Sequence, residues 1–298
     1  MNASRPVSRV DRSLSGPGSA EAISYDDQAS RFDERVGLPD NAVAAFSAAI
    51  VEEAAGGLVV EMGAGTGQLG TALIAAGICY LGIDLSGEML ARFRDRLPVG
   101  AEPSLLIQAD GNRDWPVADR AARVVVGTRS IHHLTVHHAR DQILRVLCPG
   151  GVLLVGRVER DDASLQAKVR RQMRRLVREH GFEPLQADHA AAALIDQLCR
   201  RGAAALPARV LTAWAVAKSP TQLIDDWAGK DGLAGLSLPD SAKRAILADL
   251  SAWTAVTFDA HAQQSWEERR VCTGARLAPA QTISASSIHS RKGGLDKS

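Results

Sequence analysis

Between residues 40 and 157 the chain alternates two apolar patterns. LVVEM (58 to 62), CYLGID (79 to 84), SLLIQAD (104 to 110), ARVVVGT (122 to 128) and GVLLVGR (151 to 157) are short, nearly continuous apolar runs bounded by turn residues. Such runs predict strands buried on both faces of a parallel sheet. The segments between them follow helical spacing, predicting helices at 40 to 55, at 68 to 76 and from Ser86, whose hydroxyl ahead of Met89 and Leu90 is a suitable N-cap. A further helix is predicted at 21 to 35. Strands separated by helices mean right-handed βαβ units, hence a doubly wound α/β sheet. There is no internal repeat.

Beyond residue 157 the pattern changes. The stretch from 162 to 180 reads as an amphipathic helix, 188 to 201 as a helix covering the sheet, and 208 to 219 and 268 to 277 as two more strands. Residues 219 to 267 read as helical and hold Trp227, Trp253, Phe258 and Trp266. An insertion of this kind at the strand carboxyl ends suits a lid that shapes a substrate pocket and excludes water; ordinary helix packing is the alternative. Polar tails, 1 to 20 and 280 to 298, are expected to be disordered around one domain, 21 to 279, with helical insertions at about 160 to 187 and 219 to 267.

Composition narrows the class. With 298 residues, 46% hydrophobic and 23% charged, the chain can bury a large core. Lys plus Arg (35) nearly balance Asp plus Glu (34), so no global charge draws it to nucleic acid or an anionic membrane. Cys79, Cys148, Cys199 and Cys272 are scattered and form no C-x-x-C pair, which fits a reducing cytoplasm. No run approaches the about 20 apolar residues of a membrane span, and the amino terminus has no apolar signal core. A cytoplasmic protein acting on a small molecule is the expectation.

The stretch LVVEMGAGTGQLG, 58 to 70, carries the chemistry and can be parsed in two ways. Gly65, Gly67 and Gly70 satisfy G-x-G-x-x-G, the dinucleotide fingerprint, with Asp84 near the spacing of a ribose-binding acid. In that fold, however, the first glycine closes the strand, and here the strand already runs into Gly63. The parse E-x-G-x-G-x-G, on Glu61, Gly63, Gly65 and Gly67, fits better. An acid at the strand end would repel a pyrophosphate but suits a ligand carrying an ammonium or hydroxyls. Reading the other strand ends adds Asp84, Asp110 and the group Thr128, Arg129 and Ser130. Three acids converging on one crevice suit a cationic sulfonium with an ammonium, a ribose diol and an adenine.

VVEMGAGTG, GIDLS, QADGNRDWPV, SIHHL and RVLCPGGVLLV occur in the order and at the spacing of one family, over roughly residues 55 to 157. The chain resembles a class I S-adenosylmethionine-dependent methyltransferase of the small-molecule type. That resemblance implies a Rossmann-like seven-stranded sheet in the order 3-2-1-4-5-7-6, with strand seven antiparallel. It implies S-adenosylmethionine as cofactor, with Gly63, Ala64, Gly65 and Gly67 against the methionine moiety and Glu61 beneath it. Asp84 would bind the ribose hydroxyls, Leu85 would pack on the adenine, and Asp110 with Gly111 would meet the adenine amino group. Tyr25, in the amino-terminal helix, would close over the cofactor; packing beside Phe32 is its alternative. Arg123 stands where the family commonly has an Asp, a position of structural weight.

Arg129 is the second departure, since small residues or Asn are common after strand four. Its planar fork could clamp the cofactor carboxylate or an anionic substrate, or could pair with a local acid such as Asp114. HHLTVHH, 132 to 138, spaces His133 and His137 as zinc ligands would be, but no third ligand accompanies them. His133 is the candidate general base for a hydroxyl acceptor; a capping or core histidine is its alternative. In the helix from 162 to 180, Arg170, Arg171, Arg174, Arg175 and Arg178 flank an apolar stripe, as a nucleic-acid surface, a solvated flank or an attractor for an anionic substrate would. Small-molecule O- or N-methylation is the function expected. A SAM-binding protein of non-methylating or non-catalytic kind, or an NAD-dependent oxidoreductase, stands as the alternative.

Overall fold

A computed structural model describes residues 37–97, 105–184, 189–230 and 232–280. The predicted helix at 21 to 35, Tyr25 and the two terminal tails up to 20 and from 281 lie outside the described residues.

The sheet follows from the apolar runs. Strands β1 (Leu58–Met62), β2 (Tyr80–Asp84), β3 (Leu105–Gln108), β4 (Ala122–Thr128), β5 (Leu147–Arg160), β6 (Ala204–Lys218) and, after a two-strand hairpin of β7 (Gly232–Leu233) and β8 (Leu236–Ser237), β9 (Gln264–Arg276) are its members. The order is β3-β2-β1-β4-β5-β9-β6. Strands β1 to β5 pair in parallel, and β9 runs antiparallel to both β5 and β6. Taking β9 as the seventh strand of the main sheet, this is the expected 3-2-1-4-5-7-6 order. The 219 to 267 stretch is less uniformly helical than expected, because Gly235 adopts φ 82 and closes the small hairpin. Strand β5 also begins earlier than predicted, at Leu147, with Gly150 at φ 74 inside it.

Helices cover both faces. On one, Phe46 and Ile50 of α1 (Asp40–Ala54), Leu69 and Leu73 of α2 (Gln68–Ala75), and Leu90 and Phe93 of α3 (Gly87–Arg96) pack on Val59, Val124, Val126, Val152 and Leu154. On the other, Ala139 and Ile143 of α4 (Val136–Val146) and Leu194 and Leu198 of α6 (Ala190–Cys199) pack on Val60, Val125, Leu153 and Val155. The alternation of faces along each strand is the period of two that continuous apolar runs conceal. Helix α3 starts as expected, with Ser86 Oγ accepting from the Met89 N–H at 3.1 Å. Arg123 is structural: its guanidinium donates to the carbonyls of Glu53 (3.2 Å) and Gly150 (2.8 Å), tying the end of α1 to the β4–β5 edge.

A third core lies outside these layers. Leu165, Val169, Met173, Leu176 and Val177 of α5 (Leu165–Glu179), Leu223, Ile224 and Trp227 of α7 (Pro220–Ala228), Ile246, Leu247 and Leu250 of α8 (Asp240–Thr257), and Trp266 of β9 are buried together. The two segments inserted after β5 and β6 thus pack as one helical cap, with Trp253 and Phe258 in edge contact at its margin (5.5 Å). The tryptophans serve this core. The cap grows from the carboxyl ends of β5 and β6, the same edge at which β1 ends, because β1, β4 and β5 are parallel.

Leu250 is fully buried in the cap core. Leu250→Ala should cost about 2–5 kcal/mol, as large-to-small changes in a packed core do. Urea unfolding followed by tryptophan fluorescence measures it, and a loss under 1 kcal/mol would mean that the cap is loosely packed.

Candidate active site

The glycine turn after β1 is built from three left-handed residues, Gly63 (φ 74), Gly65 (φ 55) and Gly67 (φ 84), a conformation that costs any side chain with a Cβ about 1–2 kcal/mol. They differ in what surrounds them. A Cβ on Gly63 would stand 2.3 Å from Cβ of Ser130, and one on Gly67 would stand 2.1 Å from the Phe93 ring. A Cβ on Gly65 would meet no atom of the described residues within 4 Å. Two glycines let the turn dock on its neighbours, and at the third no described residue packs against the backbone.

Asp84, at the end of β2, fixes this turn. Its carboxylate accepts from the Gly65 N–H at 2.7 Å and from the Ser86 N–H at 2.9 Å. The half-buried acid thus orients the turn from the end of the neighbouring strand. Ala64 is buried beside it, and Leu85 is half-buried at the start of the next turn, its carbonyl accepting from Gln108 at 3.1 Å. Gln68 exchanges two hydrogen bonds with the Leu38 backbone, at 2.9 and 3.1 Å, which holds the chain entering α1 over the start of α2.

Glu61 departs from its expected state. It is 2% exposed and accepts from the Tyr80 hydroxyl at 2.6 Å. Burial, with the charge of Asp84 added, pushes its pKa up to about 8, against the opposing pull of the Tyr80 hydrogen bond and of Arg270. Near neutral pH it is a protonated acid, whereas its place in the sequence implies an ionised one. Tyr80 was not legible as its partner; the signal was Gly70 and Gly82, whose missing side chains make room for the ring (a Cβ there would stand 2.6 and 2.9 Å from the hydroxyl).

The β3 and β4 ends meet across the same edge. Asp110 accepts from the Asn112 N–H at 2.9 Å, and Gly111 packs so closely on Leu134 that a Cβ would stand 2.6 Å from it. The Asn112 side chain donates to the His133 carbonyl (3.0 Å) and accepts from the Thr135 N–H (2.6 Å), joining the two loops. Ser130 donates to the Met62 carbonyl at 2.5 Å. Arg129, exposed, adopts φ 58, an unusual conformation for arginine, at the β4 end. The sheet thus gathers Glu61, Asp84, Asp110, Arg129 and His133 at one edge.

His133 closes a short 3-10 turn, Ile131–His133, with its ring 3.9 Å from that of His132. Burial and then the His132 charge lower its pKa to about 4. Because α4 starts only at Val136, His133 and His137 do not share a helix, which undoes the zinc-like spacing. Among the described residues no group of three His, Cys, Asp or Glu side chains is placed to hold a metal. Nor is any helix there long and apolar enough to cross a membrane. In α5 the apolar stripe is buried in the cap, while Arg171, Arg175 and Arg178 engage local oxygens of Asp162, Glu179 and Glu183.

A parallel sheet with one antiparallel strand inserted between its last two members differs from the dinucleotide-binding order and defines the class I methyltransferase architecture. Residues 59–151 match the family model of a methyltransferase domain. Two curated methyltransferases of uncharacterised function, from Mycobacterium bovis and Mycobacterium tuberculosis, are each 34% identical over 95 residues, 32% of this chain. The matched stretch spans 37% of the length of each. Among solved structures, a Bacillus halodurans protein described as a candidate methyltransferase is 16% identical, with TM-score 0.51 over 79% of this chain and 98% of its own. The YcgJ protein of Bacillus subtilis gives 16%, 0.50, 79% and 98%. These two likenesses are likenesses of fold.

The Glu61 acid yields a pH prediction. Its folded pKa lies above the ordinary 4.5, so its contribution to stability is complete below 4.5 and is lost as pH rises through about 8. Glu61→Gln, which cannot titrate, should gain on the wild type steadily between about pH 5 and pH 8 and then run parallel to it. Melting temperatures of the two chains across that range check this; a constant offset would place the ionised acid in the folded protein.

Proposed function

We propose that the chain is an S-adenosylmethionine-dependent methyltransferase that transfers a methyl group to oxygen or nitrogen of a small organic acceptor. The observation that carries the reading is the turn at Gly65, held by Asp84, with no described residue packed on its backbone while the flanking glycines are filled by packing. It is a cradle whose vacant side a Cβ would occupy.

The residues fit the cofactor. Backbone at Gly63, Ala64, Gly65 and Gly67 would hold its methionine portion, Asp84 its ribose hydroxyls, Leu85 its adenine face, and Asp110 with Gly111 its adenine amino group. Arg129 would meet an anionic group, either the cofactor carboxylate or one on the acceptor. Glu61, protonated and bonded to Tyr80, supports the turn from below. Tyr25 keeps its proposed role over the cofactor, although it lies outside the described residues. The sulfonium supplies an electrophilic methyl and a neutral leaving group, so holding the acceptor lone pair in line is the main demand on the protein.

For a hydroxyl acceptor, His133 is the proposed base. With its pKa drawn down to about 4, it is neutral through the whole physiological range but a weak base, so it would take the hydroxyl proton only as the methyl is transferred. The helical cap at the carboxyl edge of β5 and β6 would close the acceptor side and exclude water. A closed pocket of that kind, with a net charge of only +1, favours a small acceptor over a polymer.

Two outcomes follow. Asp84→Asn keeps shape but loses the charge behind its hydrogen bonds, each worth about 1.5–3 kcal/mol, and should weaken S-adenosylmethionine binding at least tenfold in calorimetry. Unchanged affinity in the folded variant would remove Asp84 from the site. With an accepted substrate, the single-turnover rate should stay level from pH 8 down to about 5.5 and fall with a midpoint near 4. His133→Ala should abolish that acid limb and slow the step. A limb centred near 6.5 that survives the substitution would assign it to another group.

A further inference from the structure

Arg270 is a buried arginine that none of these roles employs. It lies on β9 opposite Val158 of β5 and is 1% exposed. Its guanidinium stacks 4.4 Å from the centre of the Phe46 ring of α1. It occupies a slot left by Gly156 of β5, where a Cβ would stand 2.4 Å from Nη2 and 2.7 Å from Cζ. Strand and helix have both been shaped around a cation, yet neither Nε nor Nη1 has a hydrogen-bond partner among the described residues.

Among the described residues nothing balances this charge. Arg129 repels it, and the groups that attract it are Cys272 and Glu61. Burial pushes the Cys272 thiol up to about 11 and the Glu61 acid up to about 8, so both are largely uncharged near neutral pH. Burying an unpaired charge costs several kcal/mol, and in native proteins such a group has a reason. Its place supplies one. Gly156 pairs with Thr128, the last residue of β4, and Arg129 follows directly, so the guanidinium stands at the carboxyl edge of the sheet beside the candidate active site.

We propose that Arg270, with Arg129 beside it, is the seat for an oxyanion, a carboxylate or a phosphate, carried by the methyl acceptor. This rests on the reading of the sheet edge as a methyl-transfer site. The guanidinium lies over β5, two strands or about 10 Å from β1 and its glycine turn. With Asp84 taking the ribose over β2, that flank belongs to the acceptor. The arginine pair then selects anionic acceptors and holds them by a group remote from the reacting atom. The uncompensated charge is met only when such an acceptor is bound.

The test is calorimetric titration of the full chain, saturated with S-adenosylhomocysteine in chloride-free buffer, with inorganic phosphate and with acetate as probes. The wild type should bind at least one of them, and Arg270→Met should lose at least tenfold in that affinity while its S-adenosylhomocysteine affinity stays within twofold. Without ligand, Arg270→Met should melt at or above the wild-type temperature, since it removes an unpaired buried charge. Should that variant not fold, Arg270→Lys, which keeps the charge but loses the planar donor set, must show the same selective loss. Anion binding equal in wild type and variants, or absent from all, would overturn the proposal. So would a tenfold fall in S-adenosylhomocysteine affinity in the variants, which would give Arg270 to the cofactor carboxylate. If the wild type does not bind S-adenosylhomocysteine, the methyl-transfer reading falls by itself, and phosphate titration of the unliganded chain still decides whether the seat exists.

Discussion

The hydrogen bond from the Gly65 N–H to the Asp84 carboxylate, 2.7 Å long, is the constraint on which the site depends. It joins two adjacent parallel strands beyond their last ladder bond and holds a left-handed turn that no ordinary residue would adopt. Strand β1 ends at Met62, and Gly63 then passes Ser130 at a distance that forbids a Cβ. The chain turns into α2 and leaves one backbone segment that no described residue covers. Rigid strands behind the turn and packed helices on both faces make that exposure a defined shape, and precise positioning is most of what a methyl donor with its own leaving group requires.

Electrostatics at this edge are set by burial more than by formal charge. Glu61 and Asp84 stand at adjacent strand ends, yet one is protonated near neutrality and the other is held by backbone donors. Two like charges in a half-buried site are thereby reduced to one. A few strands away the imbalance has the opposite sign: Arg270 is fully desolvated and Arg129 is close to it. The edge thus runs from an acidic end at β2 toward a basic end at β5 and β9. A ligand pair that is hydroxyl-rich at one end and anionic at the other would complement it.

The sheet was legible in the sequence because its strands are short apolar runs separated by amphipathic stretches; β1 and β4 fall on the residues that the pattern predicts. The glycines, Asp84 and Asp110 were legible because their spacing is fixed by strand ends. What escaped was long-range. Tyr80 reads as a strand aromatic, and only packing shows it reaching Glu61 through space left by Gly70 and Gly82. Arg270 sits in ERRVCTGARL as one of several basic residues, and nothing local says that it is the buried one. The union of the two insertions into one cap core joins residues 165 and 250, a distance in sequence that periodicity cannot bridge.

The most direct test of the account uses Gly65. Asn tolerates the left-handed conformation better than other side chains, and at this position a Cβ would meet none of the described residues within 4 Å. Calorimetric titration of S-adenosylhomocysteine into the full wild-type chain should show saturable one-to-one binding. Gly65→Asn should melt within a few degrees of the wild type and lose that binding by at least tenfold. Wild-type protein that does not bind S-adenosylhomocysteine, or a folded Gly65→Asn that binds it equally well, would contradict the assignment of this turn as the cofactor cradle.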